Sequence, residues 1–219
     1  GRLGESLGVW ERLLAVFREG ADIVDEPAAR ARFLGRAARV QEEHAGEPEA
    51  ALETLLRALK LDPRAEETPE ELERLARSID KLNEVVAIYS SLADEAPPDL
   101  ERVLRRRAVS LLEGELDGRM AALPHWARIW ALDPRDDEAA DRLTTAYRTQ
   151  GRWGELLEIH DARIDRAEEA SDKVALLFEV ADIEQKRGDQ KAAVAALEHI
   201  LSLAPQDDRA LEALEALHG

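Results

Sequence analysis

The chain contains no cysteine, which removes disulfides, thiolate metal sites and cysteine nucleophiles together. Aromatic residues are scarce, at 4% against an apolar total of 45%. A core must therefore be built from Leu, Ala, Val and Ile, in a mixture that favours helices over sheets. No apolar run approaches the roughly 20 residues of a membrane-spanning helix, and no signal-peptide pattern opens the chain. Positive charge is also short: 30 Lys and Arg stand against 47 Asp and Glu, a formal net charge of -17. That field opposes a general affinity for nucleic acid or anionic membrane surfaces and suits a basic or amphipathic partner. The lack of cysteine is in keeping with a reducing compartment, so a cytoplasmic location is expected. Gly1 in place of an initiating methionine marks an expected fragment of a longer chain, which leaves a targeting segment outside it open.

Catalytic signatures are missing as well. The five histidines, His44, His125, His160, His199 and His218, show no HExxH or other metal-ligating spacing, and solvent-facing or groove-edge positions are expected for them. There is no P-loop, dinucleotide fingerprint or nucleophile elbow. The segment DPRDDEAAD lacks the glycine and alternating oxygen ligands of a calcium loop. With 47 carboxylates, close acidic pairs mean nothing without a pocket that perturbs them. EETPEELE (66–73) reads as an acid-rich helix start, with Thr68 as N-cap and Glu71 completing a capping box. No catalytic, cofactor-binding or metal-ligating residue is expected, and no cofactor.

What the sequence does contain is repetition. ALDPRDDEA (131–139) returns as KLDPRAEET (60–68) and SLAPQDDRA (202–210), so that Pro63, Pro134 and Pro205 are each 71 residues apart. Ala50-Ala51, Ala121-Ala122 and Ala192-Ala193 fall in the same register, as do Leu61, Leu132 and Leu203. A second phrase begins at Gly8, Asp80 and Gly151 and carries Trp10, Leu82 and Trp153 ahead of aliphatic pairs. The unit is therefore double, giving approximate repeats 8–79, 80–150 and 151–219. Turn markers at Gly8, Gly46, Asp80, Asp117, Gly151 and Gly188 are spaced by 38, 34, 37, 34 and 37 residues. A period of roughly 34 is the signature of a helix-turn-helix solenoid. Apolar spacings of three and four, as at Leu197, Ile200 and Leu201, are helical. Pro48 suits the first turn of a helix. Asp-Pro-Arg at 62–64 and 133–135 ends the preceding one, and Asp136-Asp137 and Asp207-Asp208 suit the next N-terminus.

On these residues the chain resembles the tetratricopeptide repeat family, of a bacterial type with alternating 34- and 37-residue units, over nearly its whole length. Val174 to Pro205 matches best, with Ala181, Gly188, Ala193, Leu197 and Pro205 at family positions. Residues 142–160 match at Leu143, Tyr147, Gly151 and Leu156, while the unit ending at Pro134 departs with Asp117 and Trp126. The resemblance implies an all-α, right-handed superhelical solenoid of antiparallel helix pairs, about 11–12 helices in a single array over 1–219. It also implies that the first helix of each pair lines a concave groove that holds a peptide. The chain opens with what reads as a second helix, around Trp10 to Val24, and closes with a lone first helix.

Several residues are singled out by this frame. His160 shares a repeat position with Phe17 and Tyr89, so partial burial is expected. Trp126, Ile129 and Trp130, near Met120, read as core. Pro124 lies within the same helix and removes a bond to the Met120 carbonyl, which should kink or delay it. ERVLRRRAVSLL (101–112) is the one basic cluster on an acidic background. Arg102, Arg106 and Arg107, with Arg36 and Arg39 on an earlier first helix and Arg148 on a later one, are candidates for an anion-recognising patch. The competing reading is salt bridging to neighbouring acids, contributing roughly 0–1 kcal/mol each when exposed. The expected function is a non-catalytic scaffold holding another protein or peptide, with no nucleic acid and no membrane insertion; the alternative is a structural spacer or self-association module.

Overall fold

The turn markers are where the backbone leaves helical geometry. In the computed structural model, Gly46, Gly151 and Gly188 have φ of 71°, 67° and 87°, and the equivalent Asp80 and Asp117 sit at 58° and 48°. Glycine adopts this left-handed region without penalty, and aspartate is among the side chains that tolerate it. Gly8 is the exception: it lies inside the first helix, so that marker does not correspond to a turn. The structure describes the backbone of residues 2–218 and the side chains of residues 8–217.

Among the described residues there are twelve α-helices and no strands. In chain order they are α1 (Arg2–Ile23), α2 (Pro27–Val40), α3 (Pro48–Leu61), α4 (Glu67–Ser78), α5 (Leu82–Glu95) and α6 (Pro98–Gly114). After them come α7 (Arg119–Leu132), α8 (Asp137–Gln150), α9 (Trp153–Arg166), α10 (Ala170–Arg187), α11 (Gln190–Leu203) and α12 (Asp208–His218). A π-helical turn, Gln41–Ala45, extends α2. Pro48 opens α3, and α3 and α7 stop at Leu61 and Leu132, directly before the Asp-Pro-Arg turns. Asp136 Oδ1 accepts from the Ala139 amide at 3.0 Å, and Asp207 Oδ1 from Ala210 at 2.9 Å, two of the orphan donors that a helix start must satisfy.

Two further sequence expectations about the helices need correction. The opening helix begins at Arg2, not near Trp10. The capping box does not form: α4 starts at Glu67, its N-cap Glu66 makes no side-chain bond, and Thr68 is already in the first turn. The tight turn closed by Ala65 N–H to the Asp62 carbonyl, 3.2 Å, delivers the chain into the helix before Thr68 is reached. Pro124 sits inside an uninterrupted α7 on an exposed side.

The chain divides into two compact units at Leu132 and Asp133. In the first, each helix packs on the next, and α3 also meets α5, the neighbour stacking expected when one hairpin cannot bury its own apolar face. Its core runs through Leu55, Leu59, Leu72, Leu75, Val85, Tyr89, Leu104 and Leu111. In the second unit α8 to α12 pack consecutively, and Leu177, Ala181, Leu197, Ile200 and Ala210 lie within its core. Trp126 and Ile129 are buried, Trp130 is half-buried, and Met120 is exposed. The stripe is core except at Met120.

Candidate functional site

In the first unit, ion pairs one repeat apart tie successive first helices together. Arg39 on α2 reaches Glu71 on α4. Arg74 on α4 grips both carboxylate oxygens of Glu42, at 2.8 and 2.6 Å, and Arg107 on α6 meets Glu73 on α4 at 2.9 Å. Between these ties the helices stand apart. On α2 the residues facing α4 are small, Ala28, Ala31 and Gly35, one or two turns apart on one face. They leave a groove of about 430 Å³ whose other wall carries Glu66, Glu67, Thr68 and Glu71.

Three arginines of α2 edge this groove: Arg32, Arg36 and Arg39. Arg39 is taken by Glu71, whose hydrogen bond and charge raise its already high pKa. Arg32 and Arg36 are exposed and make no ion pair among the described residues. A second groove, of about 410 Å³, lies between α4 and α6 and shares Ala65 and Glu66 with the first. Its lining includes Arg102, Arg107 and Val103, an exposed aliphatic side chain.

The six arginines singled out by sequence thus separate. Arg36 and Arg39 share the α2/α4 groove, and Arg102 and Arg107 the α4/α6 groove. Arg106 points elsewhere, its guanidinium 5.4 Å from the centre of the Trp126 ring on α7, within cation–π range. Arg148 lies in the second unit and pairs with Glu179 at 2.8 Å. Arg39, Arg107 and Arg148 therefore do make salt bridges to acids. Sequence reasoning missed Arg32, although its signal was present: it precedes Arg36 by four residues and so shares its face.

Other polar clusters are structural in geometry. Glu101 on α6 is buried and receives Arg105 Nε at 2.8 Å and Arg128 Nε at 2.7 Å; the Arg128 hydrogen bond, foremost, holds its carboxyl below the usual range. Ser90 Oγ lies 3.5 Å from His125 Nε2, but its hydroxyl donates to the Val86 carbonyl at 2.7 Å and His125 Nδ1 has no hydrogen-bond partner. A nucleophile–base pair needs the hydroxyl proton on the imidazole and a group orienting the ring; neither is present. The histidines differ from the solvent-facing expectation: His125 and His160 are buried, and burial depresses the pKa of each. His160 is fully rather than partly enclosed, at 1% exposure. His44 stacks on Trp10 with ring centres 3.6 Å apart, His199 is exposed, and the side chain of His218 lies outside the described residues. No group of three or more potential metal ligands converges among the described residues, and no described helix is long and apolar enough to cross a membrane.

No protein-family profile and no curated protein matches the chain. Among solved structures it is similar to YrrB, described as a TPR protein with an unusual peptide-binding site, at 18% identity over 91% of this chain and 97% of that one, TM-score 0.37. It is also similar to TTC0263, a thermophilic TPR protein of Thermus thermophilus, at 20% identity over 85% and 98%, TM-score 0.33. A tetratricopeptide repeat protein of Parabacteroides merdae matches at 15% identity over 99% and 93%, TM-score 0.34. In its own period, left-handed turns and stacked helix pairs, the chain has an all-α fold of repeated helix pairs.

Proposed function

We propose that the protein is a non-catalytic interaction scaffold whose α2/α4 groove holds a carboxylate-bearing segment of another protein, with Arg32 and Arg36 as the anchoring groups. The observation that carries this reading is that neither has an ionic partner among the described residues, in a chain where acids outnumber bases 47 to 30. Guanidinium groups one turn apart offer two planar forks, suited to carboxylates on an extended segment. The acidic α4 wall selects against an anion of the wrong shape and suits a segment that also carries a basic or amide edge. Arg39, Arg102 and Arg107 extend the basic lining, and Val103 adds an apolar contact where the second groove begins. Arg106 and Arg148 serve the fold in this reading.

The test is photo-crosslinking in lysate from positions 35 and 68, with the crosslinked segment identified by mass spectrometry. The expected product is one acidic segment captured from both positions. Arg32→Glu with Arg36→Glu, at unchanged helicity, should weaken its binding by tenfold or more, since each reversal turns a charge-assisted bond into a repulsion, about 1.4 kcal/mol for each factor of ten. Capture that is undiminished in the double variant would refute the assignment.

A further inference from the structure

Among the described residues six large hydrophobic side chains are exposed, and three of them lie on α1: Val9 at 56%, Val16 at 57% and Ile23 at 79%. They are seven residues apart. Two helical turns return a side chain to nearly the same azimuth, so the three form one stripe. The opposite side of α1 is occupied. Ala21 is buried and Arg30 Nε donates to its carbonyl at 2.9 Å, while Gly20, one turn from Val16, lies against the Phe33 ring of α2, which borders the other edge of the stripe. Arg12 and Glu19, also seven apart, border one edge of the stripe, and neither makes an ion pair among the described residues.

We infer that α1 pairs antiparallel, about a two-fold axis near Val16, with α1 of a second copy of this chain. The charge order favours this occupant and this direction. A two-fold axis perpendicular to both helices keeps the same edge of each on the same side of the seam. Residue 12 of one copy then lies beside residue 19 of the other, and the reciprocal contact forms by symmetry. Val9 meets Ile23 at each end, and Val16 meets itself at the centre. A parallel pair would place the two charged edges on opposite sides of the seam, where Arg12 and Glu19 could not meet. The surface lies outside both grooves and shares no residue with them, so the inference goes beyond the groove reading and can fail without it.

Sedimentation equilibrium of the 219-residue chain at physiological ionic strength, across a dilution series, tests the pairing. The wild type is expected to dimerise reversibly. Val16→Glu, which sets two carboxylates face to face at the axis, abolishes the dimer. Arg12→Glu weakens it about tenfold or more, because both symmetric pairs become repulsive, and Arg12→Glu with Glu19→Arg restores it. A wild type that stays monomeric throughout, a dimer indifferent to Val16→Glu, or a double reversal that recovers nothing would each overturn the inference. Far-ultraviolet circular dichroism separates loss of pairing from loss of fold.

Discussion

Replacing Glu101 with Gln should lower the thermal midpoint of the protein by several degrees, and it should do so locally. Glu101 is 4% exposed and binds Arg128 through both oxygens, at 2.7 and 3.1 Å, while Arg105 reaches it from the next turn of α6. Arg105 is itself nearly enclosed, with 11% of its side chain exposed. Removing the carboxylate leaves a guanidinium in a poorly solvated place, where the penalty exceeds what the pair contributed to stability. Breaking a fully buried pair costs about 3–5 kcal/mol; here Arg128 is half exposed and Arg105 keeps Asp94, so about 2 kcal/mol is expected. At this chain length that is a fall of roughly 4–8 °C. The exposed Arg64–Asp99 pair offers the contrast: Arg64→Ala should leave the thermal midpoint close to that of the wild type. Because a stacked array communicates chiefly between neighbours, amide exchange should quicken in α5 to α7 and stay unchanged in α1. A midpoint within a degree of wild type would show that water reaches Arg105.

Of that network only the four-residue spacing of Glu101 and Arg105 was legible in the sequence, whereas the turns were legible. Proline and left-handed geometry are local: Asp-Pro-Arg stops a helix whatever surrounds it, and Asp80 and Asp117 could be aligned with Gly46, Gly151 and Gly188 because the period places them at the same bend. The buried face of Trp126 and Ile129 follows from helical spacing in the same way. Gly8 misled because a residue that marks turns elsewhere can sit inside a helix at modest penalty. Thr68 misled because a capping motif competes with the turn before it, and the turn acted first. The partners of arginines are a different kind of question. Whether Arg106 faces a groove or Trp126, or Arg32 finds an acid, depends on how helices one repeat apart are set against one another. The repeat predicts that they are neighbours, without specifying which of several surrounding carboxylates each guanidinium will take.

His160 occupies a repeated position that keeps its burial and loses its partner. Tyr89, at the equivalent place, donates to Glu73 Oε1 at 2.7 Å, and Glu73 also accepts from Arg107. Seventy-one residues on, Thr144 stands in place of Glu73, and its buried hydroxyl has no hydrogen-bond partner. Neither ring nitrogen of His160 has one. The nearest carboxylate oxygen, Glu179 Oε2, is 3.6 Å from Nε2 and already holds Arg148. Burial is the main cause of a lowered pKa; Arg148 and Arg163 act in the same direction, against Glu179 and Asp161. The imidazole is therefore neutral in the folded protein under conditions where it is protonated in the unfolded chain. Its contribution to stability is present above the unfolded value of about 6.5 and declines as the pH falls from there through the folded value. His160→Phe, which places a ring like that of Phe17 at this position, removes both the unsatisfied nitrogens and the titration. The variant should be more stable at pH 7.5 by about 1–2 kcal/mol, and the gap should widen by about 1 kcal/mol at pH 5.5. Urea midpoints at the two pH values measure both effects. His125, buried in the other unit with a pKa lowered in the same way, remains in the variant and accounts for a residual slope. If the variant is less stable than wild type, or the two slopes coincide, His160 is hydrogen-bonded in solution, and Glu179 has exchanged Arg148 for the imidazole.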